Sequence, residues 1–185
     1  MVKQVYSQAE RDMRKSVETV AREFGGVRTG RASTALLEPI RVDYYGTPTP
    51  LSQVATLATP ETRLIAVQPW DPTLVPAIEK AILKSGLGVT PTSDGKVIRI
   101  AIPPLTEERR KELVKVVRKL AEEGRVAVRN VRRDANDRLK ALEKDKKISE
   151  DGLRKGLEQV QELTNRVIKE IDDVLAKKEK EILEF

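Results

Sequence analysis

TEERRKELVKVVRKLAEEGRVAVRNVRRDANDRLKALEKDKK, residues 106–147, reads as one uninterrupted helix, and the rest of the chain is arranged around it. Apolar or small residues recur at Leu113, Val117, Leu120, Gly124, Ala127, Val131, Ala135 and Leu142. The steps are mostly three and four, the pattern of a helix buried along one side. At the usual rise per residue the helix would be about 60 Å long. Propensity alone does not hold a helix of that length, so it requires packing partners along its whole course.

The opposite side is basic. Arg118, Arg125, Arg129 and Arg132 form a row, with Arg133 in the same run, and wheel arithmetic sets the row roughly 130° from the apolar seam. The stretch holds 15 Lys+Arg and 9 Asp+Glu, against 35 and 29 in the whole chain. The chain's formal excess of +6 therefore lies within this one stretch, and the remainder is balanced. A row of one sign has two readings, a solvated face or a surface for a polyanion. Solvated faces usually mix signs, which favours the polyanion.

Composition narrows the chemistry. With no Cys the chain has neither disulfides nor thiolate metal sites, and with no His it lacks the commonest general base and metal ligand. No glycine pattern forms a phosphate-cradling loop. Asp134 and Asp137 are the nearest thing to a carboxylate pair, and on an Arg-rich helix they read as local ion-pair partners. Ser33 and Ser149 have no His partner, and Ser149 suits a helix cap. No enzyme and no cofactor are expected. No stretch approaches 18 apolar residues, and residues 1–24 carry four acids, which argues against a transit peptide. The expectation is a soluble, cytoplasmic protein with no membrane contact.

The prolines give the domain plan. All ten lie between Pro39 and Pro104. A proline-free helical framework, 1–29 and 106–185, is thus interrupted by a proline-rich insert, 30–105. Val5, Ala9, Met13, Val17, Val20, Phe24 and Val27 predict a first helix over 3–27, with Gly30 as its C-cap. In the insert, Ile40, Val42 and Tyr44 alternate as in a half-buried strand, and Tyr45-Gly46-Thr47-Pro48 reads as a turn into a partner strand. Further strands are expected at 54–58 and 63–68. A helix should open at Pro72 and stop at Gly86 and Gly88, and a hairpin should close the module over 89–102. Trp70, the sole tryptophan, is read as core. After Pro103-Pro104-Leu105, Thr106 suits the N-cap of the long helix. Ser149 restarts the chain as the cap of a third helix carrying Leu153, Leu157, Val160, Leu163, Val167, Ile171, Val174 and Ile182. The predicted class is α+β: an antiparallel three-helix bundle with an inserted small β/α/β module, able to bury its seams without oligomerising.

Five strings in order resemble the ribosome recycling factor family: RTGRAS (28–33), DYYGTPTPL (43–51), PPLTEERRK (103–111), RVAVRNVRRDAND (125–137) and DKKISED (145–151). Lys147 stands where an acidic residue is common in that family, and Gly25-Gly26 is an unusual pair. The resemblance implies an L-shaped, tRNA-like molecule. Its hinges would fall at Thr29-Gly30-Arg31 and Pro103-Pro104-Leu105. It implies binding to ribosomal RNA at the intersubunit face of the large ribosomal subunit. It also implies splitting of the post-termination ribosome with elongation factor G and GTP, releasing mRNA and deacylated tRNA. The implied RNA contacts are the arginine row with Arg133; Arg110 and Arg28 join them by resemblance, for RNA contact or for fixing the domain junction. A general RNA- or DNA-binding architectural protein and a coiled-coil adaptor are the alternatives that the residues alone leave open.

Overall fold

The structure, a computed structural model, describes residues 1–184. The chain forms two compact units. One comprises Met1–Phe24 and Val114–Lys180, and the other Gly25–Leu113 with residues 181–184.

The first unit is built from α1 (Val2–Gly25), α3 (Glu107–Lys144) and α4 (Glu150–Glu184), the last two entering it from residue 114 and leaving it at residue 180. Their mutual direction follows from two close approaches. A Cβ on Gly124 of α3 would lie 2.4 Å from Val20 of α1 and 3.6 Å from Ile171 of α4. A Cβ on Gly156 of α4 would lie 3.2 Å from both Leu139 of α3 and Val2 of α1. Moving from one meeting point to the other, α3 runs against both α1 and α4. Met13, Val117, Ala121, Val128, Leu139 and Ile171 are fully buried between the helices. Thr164, also fully buried, is satisfied by donating its hydroxyl to the Val160 carbonyl at 2.8 Å. Arg14 of α1 pairs with Glu170 of α4.

The caps explain the helix ends. Thr106 accepts the Arg109 N–H at 3.1 Å, and Ser149 accepts the Gly152 N–H at 3.0 Å, so both expected N-caps form. The end of α3 uses a device without a glycine. Lys146 adopts φ 58°, its N–H reaches the Glu143 carbonyl at 2.9 Å, and the Lys147 N–H reaches the Leu142 carbonyl at 2.8 Å. These are the two bonds of a Schellman turn, with lysine at the left-handed position. The first helix ends earlier than its apolar pattern predicts. It stops at Gly25 because two consecutive glycines each weaken a helix interior by about 1 kcal/mol. Gly30, at φ 81°, therefore lies beyond the helix and is not its cap.

The second unit holds a hairpin, β1 (Arg41–Tyr44) with β2 (Thr47–Pro50). It also holds a four-stranded antiparallel sheet. The sheet's strands are β3 (Ala55–Glu61), β4 (Leu64–Pro69), β5 (Pro91–Ser93) and β6 (Ile98–Ala101), in the order β3-β4-β6-β5. Helix α2 (Val75–Lys84) follows a short 3-10 turn opened by Pro72. Ile65, Val67, Ile98 and Ile100 alternate inward and pack with Ile78 and Ile82 of α2 and with Leu36, Leu37 and Val42. Gly86 and Gly88, at φ 79° and 71°, turn the chain after α2. Trp70 is not core: it is 66% exposed. The pleat explains this. Ile65, Val67 and Pro69 point inward along β4, so the next residue falls on the outward side.

Candidate nucleic-acid interface

The buried face of α3 is not centred where the sequence spacing puts it. Ala121, Val128 and Leu139 are fully buried, while Leu120, Ala127, Val131 and Leu142 are only half-buried. The true seam is turned roughly 40° toward the arginines, so the row lies about 50–110° from its centre, along the edge of the helix contact. An arginine stem at such an edge can lie over apolar neighbours and carry its head to an adjoining helix.

Two of them carry their heads to α4, Arg125 largely covered and Arg118 with its side chain 64% exposed. Arg118 Nε donates to Glu179 Oε1 at 2.6 Å, and Arg125 reaches Asp172 Oδ1 at 2.6 Å through Nη2. The two arginines are seven residues apart on α3, and the two acids seven apart on the antiparallel α4, so these pairs are successive rungs. Arg125 also pairs with Glu122 at 3.0 Å, and its side chain is only 18% exposed. The bond to Glu179 raises the Arg118 pKa, and burial of Arg125 is outweighed by its bonds to Asp172 and Glu122, which hold its charge firmly. Glu122 is lowered, chiefly by its bond to Arg125 and further by Arg129, whose Nη1 lies 3.2 Å from it.

The next rung differs. Seven residues on from Arg125 stands Arg132, and seven back from Asp172 stands Asn165, an amide rather than an acid. Among the described residues Arg132 Nη1 finds only Gln161 Oε1, at 3.5 Å, while the Gln161 amide donates to Asn165 Oδ1 at 2.8 Å. Arg132 thus keeps an uncompensated charge. Arg133 is exposed and makes no ion pair or hydrogen bond among the described residues. The arginine row is therefore paired within the helical unit at Arg118 and Arg125 and left without an acidic partner among the described residues at Arg132 and Arg133.

Arg110 and Arg28 belong to the second unit. Arg110 Nη1 donates to the Leu183 carbonyl at 2.8 Å. Arg28 Nη1 donates to the Leu87 carbonyl at 3.5 Å, and its Nε is buried without a partner. Both side chains are half-buried and hold main chain in place. The sequence reading missed Asp172 and Glu179. Their spacing of seven, matching that of Arg118 and Arg125, was the signal that could have found them.

Among the described residues no group of three or more Asp or Glu could hold a metal ion, and no helix is long and apolar enough to cross a membrane. A sequence model of the ribosome recycling factor family matches residues 20–183. The ribosome-recycling factor of Carboxydothermus hydrogenoformans is 58% identical over 183 residues, covering 99% of each chain. That of Bacillus pumilus is 58% identical over 184 residues, covering 100% of each. A solution structure of a ribosome recycling factor is similar at TM-score 0.80 with 48% identity, over 100% of this chain and 98% of that one. A second, described as a model of the T. thermophilus factor with E. coli elongation factor G bound to the E. coli post-termination complex, gives TM-score 0.71 with 47% identity, over 99% of each chain. This chain belongs to the ribosome recycling factor family.

Proposed function

We infer that this protein recycles ribosomes. It binds the post-termination ribosome and, with elongation factor G and GTP, splits it into subunits so that mRNA and deacylated tRNA leave. The observation that carries this reading is family membership along nearly the whole chain, at 58% identity to relatives of the same length. The protein works in the cytoplasm, as a monomer, and without catalysis of its own; GTP hydrolysis belongs to the partner. Light scattering from post-termination ribosomes mixed with the protein, elongation factor G and GTP tests it. Scattering should fall as subunits separate, and a trace that stays flat under conditions where a known factor works would overturn the reading. The purified protein alone should hydrolyse no nucleotide.

Ribosomal RNA is held by α3 through its open end. Arg132 and Arg133 present uncompensated charge, Arg129 contributes in part, and Arg118 and Arg125 act mainly within the bundle. Between a framework of 1–29 and 106–185 and an insert of 30–105, Arg28 spans the junction through the Leu87 carbonyl, while Arg110 ties the start of α3 to the end of α4. The hinges lie near 29–31 and 103–105, where Gly30 takes a left-handed conformation and Pro103-Pro104 stiffens the second crossing. Movement of the insert on these crossings carries the partner's push into the ribosome. The chain has no native Cys, so an engineered disulfide joining framework to insert is unambiguous. Oxidised protein should bind ribosomes and fail to split them, and reduction should restore splitting. Equal splitting rates in both states would remove the hinge from the mechanism.

A further inference from the structure

Half of the chain's six aromatic residues gather where the fold gains little from them. Tyr44, Tyr45 and Trp70 line one open cleft of about 520 Å³ in the second unit, and they are 38%, 84% and 66% exposed. Exposed large rings placed together are uncommon on a folded surface and mark contact sites.

Two details separate this cluster from incidental exposure. Tyr45 occupies the first central position of the β1–β2 turn at φ 50°, followed by Gly46 at φ 83°, and Tyr44 pairs directly with Thr47 across it. Both central residues of such a turn need positive φ, where asparagine or glycine fits and a bulky side chain is strained. The strain is not repaid by burial, because the ring stands in solvent. Trp70, by contrast, is fixed: its indole N–H donates to Thr56 Oγ1 at 3.1 Å and its main-chain N–H to the Val54 carbonyl at 3.1 Å. The Tyr44 and Tyr45 rings meet edge to face, centroids 4.6 Å apart and planes at 72°, so they form two walls of a corner.

The charge on this surface selects the occupant. Among the described residues Asp71, adjacent to Trp70, is the sole acid lining the cleft, and no lysine or arginine lines it. Its Oδ1 accepts the Thr73 hydroxyl at 2.7 Å and the Thr73 N–H at 3.0 Å, bonds that keep the carboxylate ionised below its ordinary range. Aromatic faces attract cations, and so does the carboxylate. A nucleic acid could stack on the rings, but its phosphates would meet an acid and no base. We propose that Tyr44, Tyr45, Trp70 and Asp71 form a cation-binding cleft that takes an arginine or lysine side chain from a basic segment of a protein partner.

Trp70 is the chain's single tryptophan and so reports on the cleft directly. The full-length protein would be titrated with the peptide acetyl-Arg-Gly-Arg-Gly-Arg-amide, with the same peptide carrying citrulline for arginine, and with a single-stranded oligoadenylate. A saturable change in Trp70 emission with the arginine peptide is expected, at least about fivefold tighter than with the citrulline peptide. Asp71→Asn and Tyr45→Asn should each weaken the arginine peptide by about three- to tenfold. Tyr45→Asn also tests the fold, because asparagine-glycine is the favoured pair for this turn. Its melting temperature should hold or rise while binding falls. No saturable change, equal binding of the citrulline peptide, or oligoadenylate binding that tightens in Asp71→Asn would overturn the proposal. So would a lower melting temperature in Tyr45→Asn, since the ring would then serve the turn.

Discussion

Arg118 and Arg132 stand on the same edge of the same helix and do different things. Arg118 has Glu179 opposite it on α4, whereas Arg132 has an amide where the acid would be. A helical wheel drawn for α3 alone cannot separate them, because the distinction is written on α4. The charge a helix offers a ligand is what remains after the neighbouring helix has taken its share. Counting the arginines of a row overstates that remainder at one end and is faithful at the other.

The largest effect should come from the open end. Arg132→Ala combined with Arg133→Ala is expected to weaken ribosome binding on the order of tenfold at low salt and to reduce the salt slope by about two. The melting temperature should hardly move, since neither side chain has an acidic partner among the described residues. The matched Arg118→Ala variant should bind nearly as the wild type does. If co-sedimentation at several salt concentrations shows the two variants equally impaired, the contrast between the ends is wrong.

Gly124 sets how closely α3, the helix that carries the row, approaches α1. Gly124→Ala would bring a methyl group within 2.4 Å of Val20, a stiff β-branched side chain that is 2% exposed. Overpacking of this kind costs about 1–3 kcal/mol, against which alanine regains about 1 kcal/mol of helix propensity. A net loss of stability is expected in urea denaturation, largely rescued by adding Val20→Ala. Loss without rescue would mean that some other contact holds α1 against α3.

A smaller effect sharpens the contrast from the opposite side. Glu179→Gln removes Arg118's partner and should return its charge to the surface. Binding to a generic polyanion such as heparin should strengthen by about twofold, and the salt slope should steepen by about one. Unchanged heparin retention would mean that Arg118 is unavailable for reasons other than its ion pair.

The smallest effect is on pH. Glu122 is lowered in the folded state, first by its bond to Arg125, so the unfolded state holds its proton more tightly. The stabilisation this gives is present above the ordinary glutamate pKa of about 4.3 and is lost as pH falls through the lower folded value. Stability should therefore be flat in this respect from pH 7 to about 5 and fall below that. Arg125→Gln should flatten the acid limb measurably. An identical acid limb in both proteins would show that the bond persists little in solution.

How much of this was legible in the chain can be judged residue by residue. Thr106 and Ser149 were readable because a cap is a local event: a hydroxyl and an N–H three residues on. The strands of the insert were readable from their alternation of side chains. The centre of the α3 seam was not, because Leu120 and Ala121 are both apolar and only the partner helices decide which of them turns inward. Lys146 gave no local signal, since left-handed residues at helix ends are usually glycine. Trp70 misled through its hydrophobicity, although parity carried one step past Pro69 places it outside. The arginine row was visible from composition and spacing, but its neutralisation at one end required knowing which residues of α4 lie opposite.

The interleaving of the two units has a consequence for the order in which they are made. The β1–β2 hairpin, the strands of the sheet and α2 are contiguous between residues 41 and 101, so they can assemble once that length of chain has been synthesised. The helical unit cannot, because α1 is made first and must wait for α3 and then α4 to close its apolar face. During translation α1 is thus an orphan whose buried residues, Val5 to Phe24, face water or a chaperone until the last helix appears. The strands with α2 are the natural early folder, and the helical unit is completed only at the end.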